Sequence, residues 1–354
     1  MTSTPSILLL VAVFLNGIHS QGSYAGDYVG GAQLGSFENF GEVTVTADFN
    51  VNGPGSNIDS LAFWETPNSS EFRMFVSSKN GKLVEVWTFP FEDTTAESFV
   101  ISHGVNGVDV DQDTNKLFVS GDGLVSKFSL PNLNFETTFG GGHVSSGETN
   151  IDILDLPNGN KRIYVTDDSP AVHIFDPNSG SFIGQWDMNP YADGGIEEVL
   201  ADSFYQVLYV PREDSGGGGS NAGMYAFDPA GNPFLRNATN RFAANSYEED
   251  AEGLALYTCS SNGFGDDGEG FIISTDQDNP LSGFLFFERK SWKYLGTVRI
   301  AGVNNTDGIA STQKALPGYP EGIFAAVDDD TSAVGVGWDK IFKEIRKIRP
   351  NFEC

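Results

Sequence analysis

Apolar residues along this chain come in short runs, each closed by small or polar residues. Six of them share one form: RMFVSS from Arg73, KLFVSG from Lys116, RIYVTD from Arg162, VLYVPR from Val207, GFIIST from Gly270 and GIFAAV from Gly322. After a turn, each is followed by a second apolar run: LVEVWTFP, LVSKFSLP, AVHIFDP, GMYAFDP, GFLFFER and VGVGW. Each is also preceded by a third: NIDSLAFW, GVDVD, NIDILDL, IEEVLAD, AEGLALY and TDGIAS. Strand, turn, strand, turn, strand at a spacing of roughly 45 to 55 residues predicts a β-propeller, with one unit per blade. Helical periodicity is scarce until Trp338 to Ile348. The fold class expected is therefore all-β, a six-bladed β-propeller. EVTVTADF, ending at Phe49, is expected to supply the outer strand of the last blade and close the ring, removing exposed sheet edges.

The first twenty residues contain an apolar run from Ile7 to Leu15, too short to span a bilayer, and end in small or polar residues. They read as a secretory signal peptide, 1–20, cleaved after Ser20, with 21–354 as a single propeller domain. No later run is long and apolar enough for a transmembrane helix. The sequons at Asn68, Asn237 and Asn304 fit a secreted, extracellular glycoprotein. Cys259 and Cys354 either pair, tying down the C-terminus, or leave Cys354 to bridge to another chain. A monomer is expected.

Charge changes the picture more than composition does. The net charge of -28 argues against nucleic acid, whose phosphates would be repelled. Much of it is compatible with simple solubility, yet some of the carboxylates repeat with the blades. The innermost strand of a propeller blade lines the central channel, and the start of that strand is acidic in every unit: Asp59, Asp109, Asp152, Glu197, Glu252 and Asp307. Carboxylates converging on one channel repel unless protonated, solvated or neutralised by cations. Many hard oxygen donors favour Ca²⁺ over Zn²⁺. His103, His143 and His173 are scattered and read as structural or surface residues.

A second ring lies four residues beyond the aromatic (or Ile) of each middle strand: Lys79, Asp122, Asp168, Glu213, Asp276 and Asp328. Asp favours turns in any case, whereas Glu213 is a poor turn residue and points more strongly to a role. DVDQDTNKLFVS, from Asp109, begins like an EF-hand loop but lacks its sixth-position Gly and twelfth-position Glu, and reads as a hairpin turn. The Gly-rich run DSGGGGSNAG lies inside a blade; no Gly-Lys-Ser/Thr follows it.

EEDAEGLALY, GFIISTDQDNPLSGFLFFER, TDGI and GYPEGIFAAVDDD resemble the β-propeller phytases, six-bladed calcium-dependent phosphatases whose corresponding runs have the form D-I-E-G-L-T-I-Y, G-Y-L-x-A-S-S-Q, D-T-D-G-I-D and Y-P-x-G-I-F-V-A-Q-D. The likeness is clearest from Glu197 to Asp328 and extends faintly to NIDSLAFW. It implies calcium roles for Glu197, Glu213, Asp250, Glu252, Gln277 and Asp307. Asp59 falls on the first Asp of the family's D-D-P-A-x-W stretch, with Ser60 replacing the second; Asp328 joins the metal set from the second ring. In such enzymes Ca²⁺ ions bind substrate phosphates and activate a water for attack on phosphorus.

The family also holds phosphate with basic residues. Lys79 lies close to one of these, with Lys82 as the neighbouring alternative. The family's Arg in blade two has no counterpart near SGDG, and its Lys in blade three is replaced by Asp167 or Asp168. The loop before TDGI is shortened to AGVNN. Arg212 is the candidate substitute for a lost positive charge, so Lys79, Arg212 and Glu213 form the expected catalytic set. The expected activity is hydrolysis of phosphomonoesters such as phytate, as its calcium salt. The alternative is a non-catalytic calcium-binding extracellular propeller that binds a partner or mineral.

Overall fold

A computed structural model of the chain describes residues 37–66, 71–92, 96–188, 191, 196–212, 222–244, 246–259, 266–278 and 280–354. The signal segment, Asn68 and Glu213 lie outside them. Phe37–Cys354 forms one compact unit. Its chain enters through β1 (Gly41–Val45) and β2 (Phe49–Val51) and then builds successive blades. Blade one is β3 (Ile58–Glu65), β4 (Phe72–Ser78), β5 (Leu83–Thr88) and β6 (Ala96–Val100). Blade two is β7 (Val108–Asp111), β8 (Lys116–Gly121), β9 (Leu124–Ser129) and β10 (Asn134–Phe139). Blade three is β11 (Ile151–Asp155), β12 (Lys161–Asp167), β13 (Ala171–Phe175) and β14 (Phe182–Asp187). Blade four is β15 (Leu200–Asp202), β16 (Val207–Arg212), β17 (Gly223–Phe227) and β18 (Arg241–Phe242). Blade five is β19 (Asp250–Thr258), β20 (Gly270–Gln277), β21 (Gly283–Glu288) and β22 (Tyr294–Ile300). Blade six is β23 (Ile309–Thr312), β24 (Ile323–Asp328) and β25 (Ser332–Gly337), followed by α1 (Trp338–Ile348).

The six-bladed propeller is as expected, with one correction at its closure. EVTVT does not close blade six: β1 adds a fifth strand to blade five, parallel to β22 with Gly41 opposite Gly296. The short β2 closes blade six, antiparallel to β25. Both devices tie the N-terminal chain to the last two blades. The outer strands escaped the pattern reading because one face meets solvent; β10 is exposed or half-buried along its whole length. Middle strands are packed on both faces by neighbouring blades, so they read as unbroken apolar runs. Phe118, Tyr164, Tyr209, Ile272 and Phe324 are all fully buried.

Aromatic rings fill the wedges between blades. The seam of blades five and six holds Tyr257, Phe271, Phe286, Phe324 and Trp338, capped by Phe342 and Phe352. Cys259 and Cys354 are disulfide-bonded, across 95 residues and with Cα atoms 4.9 Å apart, which resolves the alternatives in favour of a tied C-terminus. DQDTN is the β7–β8 turn, where Asp111 accepts the Thr114 hydroxyl at 2.6 Å. No helix among the described residues is long and apolar enough to cross a membrane.

Candidate functional site

Inner strands all start, and middle strands all end, at one face of the ring, as the pairing of Ile58 with Ser78 and of Asp250 with Gln277 shows. Two glycines let the inner strands crowd together there. A Cβ on Gly253 would stand 2.3 Å from the Asp307 carbonyl oxygen, and one on Gly308 would stand 2.3 Å from that of Asp59. The acid–glycine pairs Glu252–Gly253 and Asp307–Gly308 thus place carboxylates at the channel mouth and the contact beside them.

A cavity of about 250 Å³ runs along the inner strands and is lined by Asp109, Asp152 and Glu198 among others. A small void at the mouth is lined by Asp59, Glu148, Glu197, Glu198, Glu252 and Asp307. Of the expected inner ring, Asp59, Glu197, Glu252 and Asp307 line the mouth, whereas Asp109 and Asp152 line the cavity, and blade four makes an addition. β15 begins only at Leu200, and Glu198 as well as Glu197 lines the mouth. Glu198 accepts from Asn150 Nδ2 at 2.6 Å. Burial, with Asp152 and Asp59 nearby, pushes its carboxyl well up. Asp152 is likewise raised by burial and by Asp109, and accepts the Ala201 N–H at 2.7 Å.

On the other side of the mouth, Lys79 reaches into the ring. Its Nζ lies 2.8 Å from Asp59 Oδ1 and 2.6 Å from Glu148 Oε1. Burial opposes the charge on Lys79, yet Asp59 and Glu148 outweigh it and hold the ammonium well above its ordinary range. Burial raises Asp59 to about 6 despite Lys79. Asp307 is pushed up by burial, by Asp59 and by its bond to Asp330, and it accepts from the Gln277 amide. Asp250 is half-buried opposite Gln277, and Glu252 is buried. Arg212 ends β16, the counterpart of β4 and β20, and so belongs to the same rim.

The second ring has a plain structural basis. Carboxylates just beyond the middle strands accept backbone N–H groups of the loop that leads into their own blade. Asp122 holds Gly104 at 2.7 Å, Asp168 holds Glu148 at 2.9 Å, and Asp276 holds Glu249 at 2.9 Å. Asp328 holds Asn304 at 3.2 Å. Asp167 adds Ser145 at 2.7 Å. The recurrence of acids there is thus a loop clasp, and Asp328, expected among metal ligands, is engaged in one. The histidines are structural: His103 bonds Ser126 at 2.7 Å, His173 bonds Asp167 at 2.7 Å, and His143 stacks on Phe182.

Glu148, Glu198 and Asp330 were missed in the sequence reading. Asp330 stood in the visible VDDD run, and Glu198 in IEEVLAD beside the residue chosen. Glu148 lies in the link between blades two and three, where no periodicity signals it.

As a donor set, the mouth suits a hard cation. Its groups are carboxylate and amide oxygens, and the buried hydroxyl of Thr149, beside them, has no hydrogen-bond partner. Among the described residues, no three His, Cys, Asp or Glu side chains already stand together as a metal site. The fit is one of donor chemistry and charge.

The phytase family model matches residues 171–349, from β13 through α1 and half of the chain. The chain belongs to the phytase family. No curated protein matches it. The matched stretch of this phytase-family propeller carries Glu197, Asp250, Glu252, Gln277 and Asp307, whereas Asp59, Lys79 and Glu148 lie outside it.

Proposed function

We propose that this phytase-family protein is a secreted, Ca²⁺-dependent phosphatase that hydrolyses phosphomonoesters such as phytate. The observation that carries the reading is a lysine seated among carboxylates gathered at one channel mouth by blades of a family member. Asp59, Glu197, Asp250, Glu252, Gln277 and Asp307 would hold calcium, with Glu213 from beyond the described residues. Bound Ca²⁺ would offset phosphate charge and lower the pKa of an attacking water. The protein's own part is then positional. Lys79 would donate to a phosphoryl oxygen, with Arg212 as a second cation on the rim. The Gln277 amide orients Asp307, and Asn150 orients Glu198. An acidic mouth favours the calcium salt of a polyphosphate over the free anion. Of the two described sequons, Asn237 is exposed in a turn and open to a glycan, whereas the Asn304 side chain is half-buried against Asp328.

One observation favours a non-catalytic, calcium-binding propeller that binds a partner or mineral. Where the family has a lysine, blade three carries Asp167 or Asp168, and neither supplies a positive charge. Both readings meet the same test: phosphate release from phytate across a calcium titration, with a chelator control and Glu252→Gln and Glu213→Ala variants. Release that requires calcium and falls in both variants supports the phosphatase. No release at any calcium level, from protein that calcium protects against heat, refutes it in favour of the binding propeller.

A further inference from the structure

Lys79 is already bound by two carboxylates. Asp59, at the start of β3, takes one side of the ammonium; Glu148, arriving from the link between blades two and three, takes the other. This link is anchored. The Glu148 N–H is held by Asp168 at 2.9 Å, and Thr149 beside it is 2% exposed. The Glu148 side chain itself is 41% exposed, so it can leave Lys79 without unfolding anything. Asp59 is a buried neighbour from the same blade and cannot easily withdraw.

We propose that Glu148 is a built-in competitor for the anion seat on Lys79, so that a phosphoryl group binds by displacing its carboxylate. The inference rests on the preceding reading for the role of Lys79 and adds a determinant of its anion affinity. A carboxylate and a phosphoryl group each offer two oxygens to an ammonium, but the phosphoryl dianion carries more charge. Any anionic ligand must therefore outcompete an internal anion, which weakens the binding of every oxyanion at this seat by the same factor. Glu148 acts through Lys79 and is a positioning residue.

The test measures binding of inorganic phosphate, and separately of sulfate, by calorimetry at saturating calcium. The proteins compared are wild type, Glu148→Gln, Glu148→Ala, Lys79→Met and the Lys79→Met/Glu148→Gln double variant. Replacing a partly exposed ion pair predicts phosphate binding roughly fivefold tighter in both Glu148 variants. Sulfate should gain by about the same factor, and both gains should vanish when Lys79 is Met. A merely structural role for Glu148 would not tighten binding. Unchanged or weaker phosphate binding in both variants overturns the inference, as does a gain that persists without Lys79. Phytate turnover in the same proteins separates the two ideas. Tighter, Lys79-dependent phosphate binding without turnover upholds the competitor and removes the phosphatase. Turnover without tighter binding does the reverse.

Discussion

Arg289→Met should destabilise the propeller more than most single substitutions. Arg289 follows β21 and is fully buried. Its Nε and one terminal nitrogen meet Asp202, at the end of β15, at 2.7 and 2.6 Å. The guanidinium also bonds Asp266 at 2.6 and 2.8 Å. The clamp joins blades four and five at the face opposite the acidic mouth. After substitution, Asp266 can rehydrate because its side chain is 35% exposed, whereas Asp202 is left charged and wholly buried. Breaking one side of such a pair costs about 3–5 kcal/mol. For a unit of this size that corresponds to a fall of roughly 5–8 °C in the melting temperature. Thermal unfolding followed by circular dichroism, in chelator so that metal binding does not contribute, reads it directly. Asp202→Asn in the same chain should restore more than half of the loss, because the stranded charge is then gone. A single variant melting within about 2 °C of wild type, or a double variant no better than the single, would refute the reasoning.

Three further outcomes follow from other parts of the structure. Asp307→Asn replaces a carboxyl that burial and its acidic neighbours already keep protonated in the metal-free protein, so in chelator at neutral pH its melting temperature should stay within about 2 °C of wild type; with calcium it should be stabilised less than wild type. Asp167 is buried, yet bonds from His173, Ser145 and Ser169 hold its carboxyl below the ordinary range. Its contribution is thus complete above the unfolded value of about 4 and drains away as pH falls further; urea midpoints against pH should show that loss in wild type and a flatter curve in Asp167→Asn. Cys354→Ser opens a loop that spans 95 residues and should cost about 2–5 kcal/mol in urea unfolding.

The repeat that predicts the fold is visible because the middle strands are packed on both faces. KLFVSG and GIFAAV must be apolar wherever they sit, and their spacing counts the blades. The inner acids are visible for a related reason: Glu252 and Asp307 each precede a glycine that the crowded channel requires. The N-terminal strands were legible as strands and not by destination, since pairing on a blade edge is set by which edge is free. EVTVT satisfies blade five and FNV satisfies blade six, and both patterns suit an edge.

The sequence by itself determined the architecture and the inner acids, through local periodicity, and the family likeness, through the resemblance of its motifs. Tertiary structure alone decided what those groups meet. It shows that the outer acids clasp backbone N–H groups of the loops leading into their own blades, that Glu198 joins Glu197 in the mouth, and that Lys79 is held between Asp59 and Glu148. Asp59 starts the inner strand of blade one, whereas Glu148 lies in the link between blades two and three. Periodicity within a blade carries no information about such a meeting; closure of the ring creates it.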